Sequence, residues 1–180
     1  PPALVAWVRE RAGAVPLFAG ELAAALVDRG IVEVRDGEVV SLPDEERLAS
    51  VAPSITVEAI IDRRVESLGP SAQLAVKVAS VVGMRFSEED IAPLHPGGVE
   101  AVRSHHAEVE RAGLWRRANP NAWTFGHRLT QDVAYGSMPG ERRATLHATL
   151  ARHLEQRTPD DVGTLAWHWE RAGDARKALE

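Results

Sequence analysis

Apolar side chains recur along most of this chain at the spacing of an α-helix. Leu4, Trp7 and Val8 lie on one face of a predicted helix over residues 3–12, and Gly13 stops it. Pro16 opens a second helix at its first turn, Leu17, Leu22, Ala25 and Leu26 form its stripe, and Gly30 ends it. The period then changes. Ile31-Val32-Glu33-Val34-Arg35 and Glu38-Val39-Val40-Ser41-Leu42 flank Asp36-Gly37, a strong short signal for a β-hairpin. Residues 43–53 are polar and bounded by Pro43 and Pro53, and read as a linker.

Helical spacing returns after residue 53. Ser54 or Thr56 caps a helix whose core face is Val57, Ile60, Ile61, Val65 and Leu68. Gly69-Pro70 breaks it. Leu74, Ala75, Val78, Ala79 and Val82 mark the next helix, over 71–82. Ser87-Glu88-Glu89-Asp90 reads as a cap with an acidic first turn, introducing a short helix to Leu94. Val99, Val102, Val109 and Ala112 mark a further helix, ended by Gly113. Two strands, 114–117 and 122–125, then surround Asn119-Pro120-Asn121. Three helices followed by a two-stranded wing is the winged-helix order, with the second and third helices as the helix-turn-helix pair.

From His127 onward the pattern is helical. One helix runs over 127–135. Pro139 opens a long one to about Gln156, with Leu146, Leu150 and Leu154 on one face. Pro159-Asp160-Asp161 starts another, carrying Leu165, Trp167, His168 and Trp169, and Gly173-Asp174 ends it. Antiparallel helix pairs with such turns have the texture of a tetratricopeptide-like array. The expected architecture is therefore mainly α, with a small β-hairpin, in three parts: 1–53, 54–126 and 127–180.

Composition narrows the chemistry. The chain has 180 residues, a net charge of −5 and no cysteine, so disulfides, thiolate metal sites and cysteine nucleophiles are excluded. The acidic balance argues against a general nucleic-acid binder. No apolar run is long enough to span a bilayer, and the expected location is the cytoplasm. The chain opens on Pro1-Pro2 without Met and closes inside an apparent helix, so a piece of a longer protein is expected.

No Gly-Lys pair occurs, and with it no phosphate-cradling loop of the Gly-x-x-x-x-Gly-Lys-Ser/Thr type. Paired carboxylates (Asp44-Glu45-Glu46, Glu88-Glu89-Asp90, Asp160-Asp161) lie in loops or first helical turns and read as caps. The chain is not expected to be an enzyme by itself. His105-His106 project to different sides of one helix, and His147 and His153 miss the i, i+4 spacing of a helical chelate. The helix over 98–112 carries Glu100, Glu108 and Glu110 beside Arg103 and Arg111, a poor composition for a DNA reader. A DNA-binding winged-helix regulator is the alternative reading.

One point invites an anion. Trp123-Thr124-Phe125-Gly126-His127-Arg128 runs a strand into a helix, and unpartnered backbone N–H groups lie at a helix start. An imidazole there donates to a phosphate or caps the junction, and Arg128 adds charge. Pro16 is a helix start or a flat apolar face for a base.

The ordered series of residues resembles a known family. Gly13-Ala14-Val15-Pro16-Leu17-Phe18 looks like the Gly-x-Pro-Leu segment in the lid of STAND-type signalling ATPases. It is followed by Ile55 to Leu68, Phe86, Leu114, Phe125-Gly126-His127, Tyr135, Arg142-Arg143, Leu146-His147 and Leu165-Ala166-Trp167-His168. Together these resemble the regions after the nucleotide-binding core in bacterial cyclase-linked and LuxR-type regulators. The resemblance implies lid helices, a winged-helix domain and the start of a tetratricopeptide-like sensor. It implies an upstream nucleotide-binding domain of the same chain, with ATP or ADP and Mg in the full-length protein and no cofactor within these residues. Pro16 would pack near the adenine, and His127, beside Arg128, would approach the β-phosphate. A protein partner on the helical region is expected, and DNA and membrane are not.

Overall fold

The computed structural model describes residues 2–12, 16–35, 38–41 and 56–179. The chain is mainly helical with two small antiparallel sheets. It divides into two units, Pro1–Ile61 and Asp62–Glu180.

In the first unit, α1 (Pro2–Ala12) and α2 (Pro16–Asp28) precede the strands β1 (Glu33–Arg35) and β2 (Glu38–Ser41). Phe18, Leu22 and Leu26 form the buried stripe of α2 at i, i+4 and i+8. Gly30 has φ 64°, a left-handed conformation that turns the chain so that the N–H groups of Ile31 and Val32 both donate to the Leu26 carbonyl. The hairpin pairs Val34 with Val39 and Arg35 with Glu38, as expected, with a bulge after Glu33. Its turn residues Asp36 and Gly37, the linker 43–53 and the candidate cap Ser54 lie outside the described residues.

Helix α3 (Val57–Glu66) is capped by Thr56, whose Oγ1 accepts from the Ala59 amide at 3.1 Å. The division between the units falls inside it. Val57, Ile61 and Val65 form its buried stripe.

In the second unit, α4 (Pro70–Val82) is the central element, packed by helices on several sides. It buries Ala72, Ala75, Val76, Val78, Ala79, Ser80 and Val81, a wider arc than the single expected stripe. Small side chains let neighbours approach all round, which a one-face pattern does not reveal. β3 (Arg85–Phe86) follows, then α5 (Glu88–Ile91), a 3₁₀ turn (Ala92–Leu94) and α6 (Gly98–Arg111). Ser87 and Asp90 form a reciprocal capping box on α5.

Strands β4 (Trp115–Asn119) and β5 (Ala122–Phe125) form the expected pair, and β3 joins them in the order β3-β5-β4. The third strand was not expected: two residues carry no periodicity, and Arg85 and Phe86 are defined as strand only by pairing with Thr124 and Trp123. Phe86, Trp115 and Phe125 close the sheet core, with ring centroids 5.2 and 5.5 Å from Phe86.

Three helices complete the unit: α7 (Arg128–Gly136), α8 (Gly140–Arg157) and α9 (Val162–Ala172). Helix α7 packs on α4, and α8 packs on α4, on the 3₁₀ turn and on α9. Asp161 caps α9 through the Thr164 amide, and Gly173, at φ 81°, ends it. A 3₁₀ turn (Lys177–Leu179) follows, where a further helix was expected to begin. Among the described residues no helix is long and apolar enough to cross a membrane.

Candidate functional site

The strand-to-helix junction is built from β5 and α7. Gly126 donates to the Leu114 carbonyl at 3.0 Å. A Cβ at Gly126 would stand 3.2 Å from the Gly113 carbonyl oxygen, so the two backbones meet closely just before His127. His127 is extended (φ −151°, ψ 152°) and is the N-cap of α7: its Nδ1 accepts from the Leu129 amide at 3.1 Å. The lone pair on Nδ1 is thereby committed. The amides of Thr130 and Gln131 reach the His127 carbonyl, at 3.1 and 3.5 Å. The first turn therefore satisfies much of its own donor capacity.

Arg128 is exposed and pairs with Asp132 at 3.0 Å, one helical turn on. Its charge is met locally. His127 and Arg128 thus adjoin at one junction. Pro16 is the first residue of α2, in the other unit, and its side chain lies outside the described residues.

A cavity of about 860 Å³ lies among α5, α6, the β4–β5 turn and the end of α8. Its charged groups are engaged with each other. Glu88 accepts from Arg103 at 3.0 Å and from His106 Nε2 at 3.1 Å, and Arg103 also reaches Glu100 at 2.8 Å. Arg157 binds Glu89 at 2.6 Å. His106 stacks on Trp123 with centroids 3.7 Å apart, and its Nδ1 is buried without a hydrogen bond. Burial pushes the His106 imidazole below its ordinary value, against the pull of Glu88. His105 faces away, toward the Ser71 hydroxyl at 2.8 Å, so the adjacent histidines do project to different sides.

The most polar buried feature joins α7, α8 and α9. The Tyr135 hydroxyl lies 2.9 Å from His147 Nε2, and His147 Nδ1 lies 2.8 Å from His168 Nδ1. The two imidazoles are 0% and 2% exposed. Trp167 presses edge-on against both rings, at 5.1 and 4.7 Å. Burial is the main reason both are lowered to about 4. For His147 the neighbouring His168, Arg171 and Arg143 act in the same sense. Sequence spacing set His153 aside as a chelating partner of His147 and offered no other partner. The partner is His168, 21 residues on, and His153 lies 3.5 Å from Arg157 instead. The one sequence signal was the series Tyr135, Arg143, His147, His168, which converges here: the Arg143 guanidinium sits over the Tyr135 ring at 4.9 Å. Among the described residues no group of three His, Cys, Asp or Glu side chains could hold a metal ion.

No protein-family model, curated protein or solved structure matches this chain.

Proposed function

We propose that this chain is a non-catalytic regulatory region of a STAND-type signalling ATPase, which couples the nucleotide state of a separate nucleotide-binding core to an output domain, a cyclase or a transcription regulator. In this reading residues 1–53 are lid helices with their hairpin, 54–126 a winged helix, and 127–180 the start of a tetratricopeptide-like region that meets a protein partner in the cytoplasm. The ATP or ADP and its Mg belong to the core. Pro16 lies toward the adenine, and His127, flanked by Arg128, toward the β-phosphate.

The observation that carries the reading is the committed Nδ1 of His127. Capping holds the imidazole in a set orientation at the start of α7, the end of a helix where a phosphate is favoured. The element order of the second unit supports a winged helix. The pairing of Arg103 with Glu88 and Glu100 supports an intramolecular role for α6 over a DNA-reading one, because the guanidinium is already engaged by carboxylates.

The test separates the cap from the imidazole. Serine is a good N-cap but has no ring. In the full-length product of the gene, His127→Ser is expected to release ADP about tenfold faster, the worth of one charge-assisted hydrogen bond, with an unchanged melting temperature. Release at the wild-type rate would overturn the reading. Tight ADP binding by these 180 residues alone, measured by calorimetry, would overturn it too, since the phosphate cradle belongs to the core.

A further inference from the structure

We propose that the Tyr135–His147–His168 chain is the transmission contact between the His127 junction and the α8–α9 hairpin, so that a disturbance in the first turn of α7 is felt in α9. The inference rests on the reading of His127 as the sensing residue for its purpose, but the contact itself needs no nucleotide.

Helix α7 is a rod of nine residues, about 13 Å long. His127 caps one end, and Tyr135 stands one residue from the other. Two fastenings leave this rod in different directions. Gln131 Nε2 donates to the Ser80 carbonyl at 2.9 Å and ties α7 to α4. Tyr135 ties it to His147 on α8, and through His147 to His168 on α9. The second reaches the hairpin directly by hydrogen bonds, whereas the first reaches it only through the packing of α4 on α8.

Its chemistry makes it a discrete link. A neutral imidazole carries one proton, on Nδ1 or on Nε2. The two Nδ1 atoms face each other at 2.8 Å, so one donates and the other accepts. If the Tyr135 hydroxyl donates to His147 Nε2, the His147 proton lies on Nδ1 and is donated to His168 Nδ1. If the Tyr135 oxygen accepts instead, every proton in the chain reverses. There are two satisfied arrangements and no intermediate one. Both rings are buried, so a nitrogen that loses its partner has no solvent to turn to. A shift of Tyr135 by more than a hydrogen bond's tolerance must either carry His147 and His168 along or break the chain. A two-state element of this kind is what coupling between distant points requires.

Hydrogen–deuterium exchange on the 180-residue chain tests the link, with mass-spectrometric readout of residues 162–172. His127→Ala is expected to speed exchange there about fivefold, the factor a helix cap is typically worth. Tyr135→Phe is expected to speed it similarly, and the double variant no further, because both act through one path. Independent, additive effects would overturn the proposal, as would an α9 indifferent to His127→Ala. Should Tyr135→Phe fail to fold, His168 supplies the second arm. His168→Asn retains a hydrogen-bonding group toward His147 and is expected to keep α9 responsive to His127→Ala, whereas His168→Leu is expected to abolish the response. Equal behaviour of the two would overturn the link. Normal ADP release by His127→Ser with intact coupling would remove the sensing role alone; altered release without coupling would remove the link alone.

Discussion

The two ends of α7 set a histidine at the surface against a pair of histidines in the interior. At the first end, His127 is half-buried, uses one ring nitrogen to cap a helix, and does a task that a serine could do as well. At the other, His147 and His168 are enclosed, and His147 Nε2 and the two Nδ1 atoms have partners that only another hydrogen-bonding side chain can serve. The same side chain is thus a cap that serine can replace in one place and a buried linker that only a hydrogen-bonding side chain can replace in the other. The difference lies in access to water: an exposed polar atom that loses its partner is rehydrated, and a buried one is not. Mutational tolerance alone therefore separates a structural role from a functional one at the junction, but not in the interior.

The largest effect that tests this contrast is expected from His168→Ala. It opens a cavity and strands His147 Nδ1, at a cost of about 3 kcal/mol of unfolding free energy. Urea denaturation measures it, and a loss below about 1 kcal/mol would erase the distinction between the two ends. Acid comes next. His147 and His168 are lowered to about 4 from the ordinary 6.5, so the unfolded chain binds protons that the folded chain refuses. Their stabilisation is complete above about pH 6.5 and is lost as pH falls toward 4. Arg143 and Arg171 nearby act in the same sense for His147, and His106 adds to the trend. Melting temperatures are expected to fall over that window, and to fall less in His168→Asn; a flat profile in the wild type would contradict the burial argument.

Smaller effects belong to the junction. His127→Ala is expected to cost about 1 kcal/mol, and His127→Ser close to nothing, in parallel denaturation curves. A serine variant as unstable as the alanine one would mean that the ring packs as well as caps. Arg128→Ala is the smallest. Its pair with Asp132 is exposed, and the expected loss is under about 0.5 kcal/mol, vanishing in high salt.

The helices were largely legible because each buries one stripe: Phe18, Leu22 and Leu26 on α2, or Val57, Ile61 and Val65 on α3, repeat at a period that the chain displays directly. Even there the reading was incomplete, since Phe18 belongs to the α2 stripe and the periodicity had not placed it there. The capping residues Ser87 and Asp161, and Thr56 as one of two candidates with Ser54, were legible for a related reason, being local chemistry within four residues of what they bind. The full arc of α4 was not, because a helix with neighbours on several sides loses its one-face pattern.

The chain by itself determined most of the elements, their local caps, the hairpin pairing and the presence of a histidine at a strand-to-helix junction. All of these depend on periodicity or on groups close in sequence. Tertiary structure alone decided that Arg85 and Phe86 form a strand, that His106 stacks on Trp123, and that His147 meets His168 and Tyr135. Each of these joins separate elements of the chain. The partner of a buried polar atom is set by which helices and strands come to lie together, and that is settled by the packing of the whole unit.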